Sequence, residues 1–527
     1  MKKILSLVLC IVLSLAAVTL YGCKKKPNEY TKDGRMILKI RNLYFNEWTG
    51  GDAYTSYIED KFGVAIEPSS YSWADWDNQV YGPANSNNLS DVFHFSLDSY
   101  NFANSYEFWA RGGSTKALPD DLSAWPHIAD MLGKVSNLNE LKINGKLYCI
   151  PLIKNIKDAD DDYSPFTYVY RRDWAKELGV YQEDDVYTWN QFQNLLSAFY
   201  RAKSEGGSVA ALADVEWGFP SIINFYKTAP HCFAMEGGSA VCNFVTPQFK
   251  QGLELAKNWA SGGTNIYGFD QYAANDGDVA KQFYAGRVGV FYENLSLANY
   301  TTLRKKVGER KEIDTKEKLD DATAIMKVSG PDGKYALEGG ENWFSATFFS
   351  ADISDEKLNK ILDIIDWLLG EEGTMMAAYG IKDYDYTVSN GGEVTLLEAG
   401  WERDINGKYI EKLNGAKYLR YMATLGYDMN DYDPLVDKEA LSILTEWKEF
   451  INRENAQGNL RILTEDPSVK WLSTTNKSQY AGGLLENGNA SVQKYVYGKI
   501  TLGEYENSFT TQRWGQILGE INSAIGK

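Results

Sequence analysis

Ile37-Leu38-Lys39-Ile40-Arg41-Asn42-Leu43-Tyr44, Tyr54 to Phe62, Val64-Ala65-Ile66, Trp73 to Tyr81 and Asp91-Val92-Phe93-His94-Phe95 follow one another within sixty residues. The first, third and fifth segments predict strands, and the two between them predict helices. A βαβαβ rhythm implies a parallel sheet with helices on both faces. Ligands of such sheets collect at the carboxyl ends of the strands. The loops there are Asn46-Glu47-Trp48-Thr49-Gly50, Ser69-Ser70-Tyr71-Ser72-Trp73 and Ser96-Leu97-Asp98. They make Trp48, Trp73 and Asp98 the ligand candidates of a first lobe, with Glu47 in reserve.

A second α/β stretch begins after Cys149. Phe166 to Tyr170 predicts a strand running into a helix from Arg172 to Leu178. Thr188 is placed to cap a helix from Trp189 to Lys203. Trp217-Gly218-Phe219 predicts a short strand, Thr246 to Trp259 an amphipathic helix, and Val288 to Tyr292 another strand. After a strand from Phe344 to Phe349, Leu358, Ile361, Leu362, Ile365, Leu368 and Leu369 form one apolar stripe at helical spacing. Ser354 is the expected N-cap, with Asp355 and Glu356 in the first turn. Ile353 and Leu358 have the spacing of a hydrophobic staple.

The amino terminus carries a different signal. Lys2 and Lys3 precede an apolar run from Ile4 to Leu20 that ends in Leu20-Tyr21-Gly22-Cys23, followed by three lysines. Basic, apolar and small-residue regions in that order are the parts of a secretory leader. The alternative, a transmembrane anchor, falls short of the ~20 apolar residues preferred. The tetrapeptide resembles a bacterial lipoprotein processing site, with Tyr21 as a departure from its usual small residue. That resemblance implies acylation of Cys23, a leader over residues 1–22, a tether over 23–36, and a place on the outer face of the cell membrane.

Composition bounds the remaining choices. A chain of 527 residues exceeds what one core holds, so two or more lobes are expected. The net charge is −17, and removing Lys2 and Lys3 makes it −19. Such a surface repels nucleic acid and anionic headgroups, which argues against either as a partner. Of five cysteines, Cys149, Cys232 and Cys242 lie beyond the leader. Cys232 and Cys242 can pair in an oxidising compartment or remain free thiols. Fifteen Trp and 35 Tyr bring the aromatic content to 14%. Flat rings suit the apolar face of a sugar, while Asp, Asn, Glu and Arg suit its hydroxyls. Only His94, His127 and His231 are present, and no HExxH, CxxC, Walker A or nucleophile-elbow pattern occurs, so no catalytic residues, cofactor or metal are assigned. The acidic run Asp158 to Asp162 and the stretch Asp428 to Glu439 lack the glycine and closing Glu of a calcium loop, and are read as solvated turns.

Several short segments, taken in order, resemble one family. Asn144-Gly145-Lys146-Leu147-Tyr148-Cys149-Ile150-Pro151 is similar to the "DGKLYGIP" segment of the family 1 extracellular solute-binding proteins, the receptors of ABC sugar importers. Tyr168-Val169-Tyr170-Arg171-Arg172-Asp173-Trp174 resembles their strand-to-helix turn. Thr188-Trp189-Asn190-Gln191-Phe192 and Phe283 to Val290 resemble two further segments. Gly370-Glu371-Glu372-Gly373 with Tyr379-Gly380-Ile381 resembles the large oligosaccharide-binding lipoprotein subgroup. The likeness runs from about Ile37 to about Tyr386.

It implies an α/β, two-lobed periplasmic-binding-protein-like fold (type II), with hinge-linked lobes and a ligand cleft between them. Crossings are expected near Leu152 to Lys157, near Glu293 and near Ser350. Lobe I then takes 37–153 plus 293–350, and lobe II takes 154–292 plus 351–527, with a helical carboxyl-terminal region. Further ligand candidates are Arg171, whose fork suits bidentate bonding, Tyr292 and Glu293 at a strand end, and Glu341 with Asn342 and Trp343. Phe225, Tyr226 and Tyr384 are the rings expected from the second lobe. For Arg171 the competing reading is a structural ion pair, and for each ring it is core. The implied partners are a carbohydrate and ABC permease subunits, with the receptor itself a monomer. The alternatives are the same fold holding a peptide or anion, or a surface carbohydrate-active enzyme with two working carboxyl groups.

Overall fold

The computed structural model describes residues 29–526 apart from 47, 73–75, 86–88, 97–101, 157–165, 204–209, 215–220, 262–275, 399, 404–408, 411, 473 and 511. Before the first crossing lie β1 (Met36–Arg41), β2 (Val64–Ser69), β3 (Val92–Ser96) and β4 (Cys149–Ile153). Then come β5 (Phe166–Tyr170), β6 (Val186–Tyr187), β7 (Ala210–Asp214), a hairpin of β8 (Phe233–Glu236) and β9 (Ser239–Cys242), β10 (Val288–Asn294), β11 (Ala324–Val328) and β12 (Tyr335–Glu338). The last strands are β13 (Trp343–Phe349), the hairpin β14 (Tyr386–Val388) with β15 (Val394–Leu396), and β16 (Leu460–Leu463).

Two five-stranded sheets organise the molecule, in the orders β2-β1-β3-β13-β4 and β6-β11-β5-β10-β7. In the first, β1 runs parallel to β2 and β3, and β13 runs antiparallel to β3 and β4. In the second, β10 is parallel to β7 and β11 to β6, while β5 is antiparallel to β10 and β11. The exceptional strands, β5 and β13, are the ones that arrive from the other lobe. A chain leaving β4 at its carboxyl end crosses and enters the second sheet from that same edge, so it must run against its new neighbours. The same logic holds for β13. The carboxyl ends of the parallel strands therefore lie on the crossing side in both sheets.

Local signals explain most elements. The Ser354 hydroxyl accepts from the Lys357 N–H at the start of the helix Asp355–Leu369, whose Leu358, Ile361, Leu362, Ile365 and Leu368 are buried. Thr188 and Gln191 bond reciprocally at the start of the helix Trp189–Lys203. Asp52 caps the helix Ala53–Phe62 by accepting from Tyr54 and Thr55 N–H.

The lobe boundaries differ from the expected ones. β10, which contains Glu293, lies inside the second sheet, and β11 follows in that sheet. Leu295, Tyr300 and Leu303 pack with Phe291 in a core of the second lobe. The chain returns to the first sheet only at β13. Residues after Ser350 are expected in lobe II, yet Leu358, Ile361, Met376, Ala416 and Leu419 pack in one core with Leu38 and Phe93. The second lobe resumes with the helix Lys438–Ala456, whose Ala440, Trp447 and Phe450 join its core. The crossings are thus Lys154 onward, Gly339–Asn342, and the stretch between Tyr432 and Lys438; those expected near Glu293 and Ser350 are not crossings. An apolar strand pattern says that a strand is buried, not which of two sheets it completes.

The carboxyl-terminal helices Thr475–Val496, Leu502–Ser508 and Gln512–Ala524 close over the second lobe through Val492, Tyr505, Trp514, Ile517 and Ile521. Cys149, Cys232 and Cys242 are buried free thiols. Asp428 pairs with Arg420, and Asp437 caps the helix Lys438–Ala456, so this acidic stretch is occupied by protein partners. The leader, Cys23, the acidic run at 158–162 and the strand expected at Trp217 lie outside the described residues.

Candidate ligand cleft

The crossing edge of the second sheet is lined with rings. Phe166 opens β5 and is paired in register with Asn294 at the end of β10, and Tyr168 is paired with Tyr292. Phe166 stacks on Tyr292 at 5.7 Å, and Tyr168 lies 4.9 Å from the same ring. Phe225 stacks on Tyr168 at 6.4 Å. These rings, with Tyr335 and Trp447, surround a hollow of ≈ 30 Å³. That is the room of one water, so a ring-sized molecule does not fit within it.

The rings are tied to the fold by polar bonds. Asp214 ends β7 beside Tyr292. Its carboxylate accepts from the Ser221 hydroxyl and N–H, and Ser221 shares a 2.9 Å hydrogen bond with the Tyr168 hydroxyl. Asn224 donates to the Tyr292 hydroxyl at 3.1 Å. Burial pushes the Asp214 carboxyl up to about 7, against the lowering by its Ser221 bonds. Phe225, Tyr292 and Tyr168 are each more than nine-tenths buried, whereas Phe166 is only half-buried. Glu293, half-buried at the same edge, accepts from the Asn294 N–H. Tyr226 is half-buried and sits edge-on to Trp189.

The first sheet's crossing edge is covered by the segment from Asn414 to Tyr432. Asn42, just past β1, donates to the Tyr421 carbonyl, and Thr424 bridges to Ile153. Tyr44 lies 5.1 Å from the Tyr421 ring and 5.3 Å from His94, whose Nε2 is 2.7 Å from the Ser345 hydroxyl. Burial holds the His94 imidazole neutral, pushing its pKa down to about 3. Burial also raises the Tyr44 phenol.

The remaining candidates divide. Trp48 is 2% exposed, donates to Asp52 and stacks on Tyr418 at 5.4 Å. It pins the β1 loop to the helix Gly415–Arg420 and offers no open face. Arg171 lies at the opposite end of β5 from Phe166, where it forks onto Asp173 and covers Trp174 at 4.7 Å. The ion-pair reading therefore holds for Arg171, away from the crossing edge. Trp343 is 4% exposed and donates to the Ser136 carbonyl at 2.9 Å, so it is a packed hinge residue. Asn342 is anchored beside it by Ser136 and Lys134, and Glu341 pairs with Lys470. Tyr384 belongs to the first lobe, not the second, because its neighbours Tyr379 and Ile381 pack there. It is 58% exposed, next to Asp385, which bonds Tyr54 at the start of the helix after β1. Trp73, Asp98 and Glu47 lie outside the described residues.

Sequence reasoning missed Phe166, although it is the first residue of a strand entering from a crossing. The signal was positional: in an antiparallel strand it is the first residue, not the last, that lies at the crossing edge.

Comparison with solved structures settles the architecture. An alginate-binding protein, AlgQ2 without calcium ion, superposes with a TM-score of 0.62 at 13% identity, covering 95% of this chain and 100% of its own. An extracellular solute-binding protein from Bifidobacterium longum subsp. infantis gives 0.63 at 14%, covering 94% and 100%. The N-glycan transport solute-binding protein of Streptococcus pneumoniae gives 0.55 at 14%, covering 93% and 98%. The fold is the two-lobed solute-binding-protein fold. No protein-family model and no curated protein sequence matches the chain. The crossing edge of the second sheet carries Phe166, Tyr292 and Glu293, and that of the first carries the Asn42–Tyr44 segment, with Tyr421 bonded to Asn42.

Proposed function

We propose that this protein is an extracellular, lipid-anchored receptor that captures a carbohydrate between its lobes and delivers it to an ABC transporter permease. The observation that carries the reading is the ring-lined crossing edge of the second sheet, Phe166 on Tyr292 beside Glu293 and Asn294. A half-buried ring next to carboxylate and amide groups suits a sugar's C–H face and its hydroxyls together. Support comes from the neighbours: one S. pneumoniae structure is described in complex with Man5GlcNAc and another, FusA, in complex with kestose. These neighbours are described as binding proteins, in keeping with capture and not catalysis.

The mechanism is closure. Sugar bridging both crossing edges favours the closed arrangement by touching groups that only that arrangement brings together. Acylation at Cys23 would tether the receptor near its permease and raise its effective concentration there. A thermal-shift screen of the form starting at Lys24 tests the ligand class, because a ligand of the native state raises the melting temperature by mass action. A shift with one oligosaccharide class is expected. A shift only with peptides or anions would overturn the sugar assignment, and disappearance of the oligosaccharide would point to an enzyme.

A further inference from the structure

The chain between β16 and the helix Thr475–Val496 leaves the second lobe, touches the first and returns. Val469 lies in the second lobe's core and Leu472 packs against that core, yet Trp471 between them packs on the core of the first. The Trp471 ring lies 5.8 Å from the Trp343 ring, tilted by 33°. One residue earlier, the Lys470 ammonium is 2.6 Å from a Glu341 carboxylate oxygen, with 16% and 10% of the side chains exposed. Glu341 belongs to the crossing Gly339–Asn342 itself.

Each side of this contact is fixed to its own lobe. Lys477, 2% exposed, donates to the carbonyls of Lys470 and Leu472 at 2.8 and 2.9 Å, the two residues that flank Trp471. Its ammonium braces the base of the finger from within the second lobe. On the other side the Trp343 indole is bonded to Ser136, and Asn342 is held by Ser136 and Lys134. A rotation of the lobes about Gly339–Asn342 must therefore move two rigid anchors past each other. Packed contacts of this kind occupy discrete arrangements and do not stretch continuously.

We propose that the Trp471–Trp343 ring pair and the Lys470–Glu341 ion pair form an interlobe latch. The latch holds the lobe arrangement of this structure and sets ligand affinity through residues that do not touch ligand. It rests on the closure reading above. A ligand that selects another arrangement must break the latch, and its apparent affinity falls by the fraction of molecules still latched.

The test is small-angle scattering of the ligand-free protein, wild type against Trp471→Ala and Lys470→Met. The expected result is a changed scattering curve for both variants, with a melt that stays cooperative. Where a sugar ligand has been found, its Kd should shift roughly three- to tenfold, the scale of one aromatic pair acting on a two-state equilibrium. Superimposable curves from folded variants would overturn the latch. Should either single variant fail to fold, the exchange Glu341→Lys with Lys470→Glu decides. It keeps an ion pair across the crossing, so a wild-type curve from it and an altered one from Glu341→Gln support the latch, and identical curves from both refute it. None of the scattering measurements needs a sugar, so failure of the carbohydrate assignment leaves their result readable.

Discussion

Phe166 is half-buried at the crossing edge of the second sheet, and Tyr384 is an exposed ring of the first lobe. Phe166→Ala should lower sugar affinity roughly tenfold, by loss of one stacking face, as read by calorimetric titration. Tyr384, at 58% exposure, contributes little packing, so Tyr384→Ala should leave the melt within about 0.5 kcal/mol of wild type. A loss of sugar affinity in that variant would place the first-lobe side of the cleft at the start of the helix Ala53–Phe62; unchanged affinity would remove Tyr384 from the site. His94 answers to pH instead. Its imidazole is neutral in the fold down to about 3, while the unfolded ring titrates near 6.5. The unfolded state then binds more protons between those values, so stability falls as pH is lowered from about 6.5 toward 3, by as much as a few kcal/mol. His94→Gln should flatten that part of the pH profile in urea melts; an unchanged acid limb would show that other groups dominate it.

Elements with strong local signals were legible in the sequence. The apolar stripe of Asp355–Leu369 and its Ser354 cap needed only helical periodicity and one hydroxyl. Ser354→Ala should cost about 1 kcal/mol in a urea melt, the usual worth of such a cap. β7 was not anticipated: Ala210–Asp214 is short, alanine-rich and buried throughout, with no alternation to mark it. Its final residue, Asp214, holds Ser221 by two hydrogen bonds. The Asp214 carboxyl, raised to about 7 against 3.8 for the free side chain, keeps a proton in the fold that the unfolded chain has lost between those values. Stability therefore falls as pH rises through that window, the reverse of the His94 effect. Asp214→Asn should remove this slope in urea melts between pH 4 and 7. Persistence of the slope would mean that Asp214 ionises freely in the fold.

At the scale of the molecule, the α/β class and two-lobed plan followed from the βαβαβ rhythm, the chain length and the resemblance of its motifs. The partition of the chain between lobes did not follow. Each strand's burial is written in its own residues, but its sheet is decided by pairing with strands more than a hundred positions away, as β13 pairs with β3 and β4. The same limit hid what covers the candidate rings: the later segments carrying Tyr418 and Trp471 pack on Trp48 and Trp343. Three crossings and the Trp471 finger tie the two lobes together. Closure on ligand should shrink the radius of gyration in small-angle scattering, since groups on both crossing edges approach while each core stays intact. An unchanged radius at saturating ligand would mean that binding uses one lobe alone. Phe166 and Tyr292 would then be the whole of the site, and variants on the first lobe's edge would leave affinity untouched.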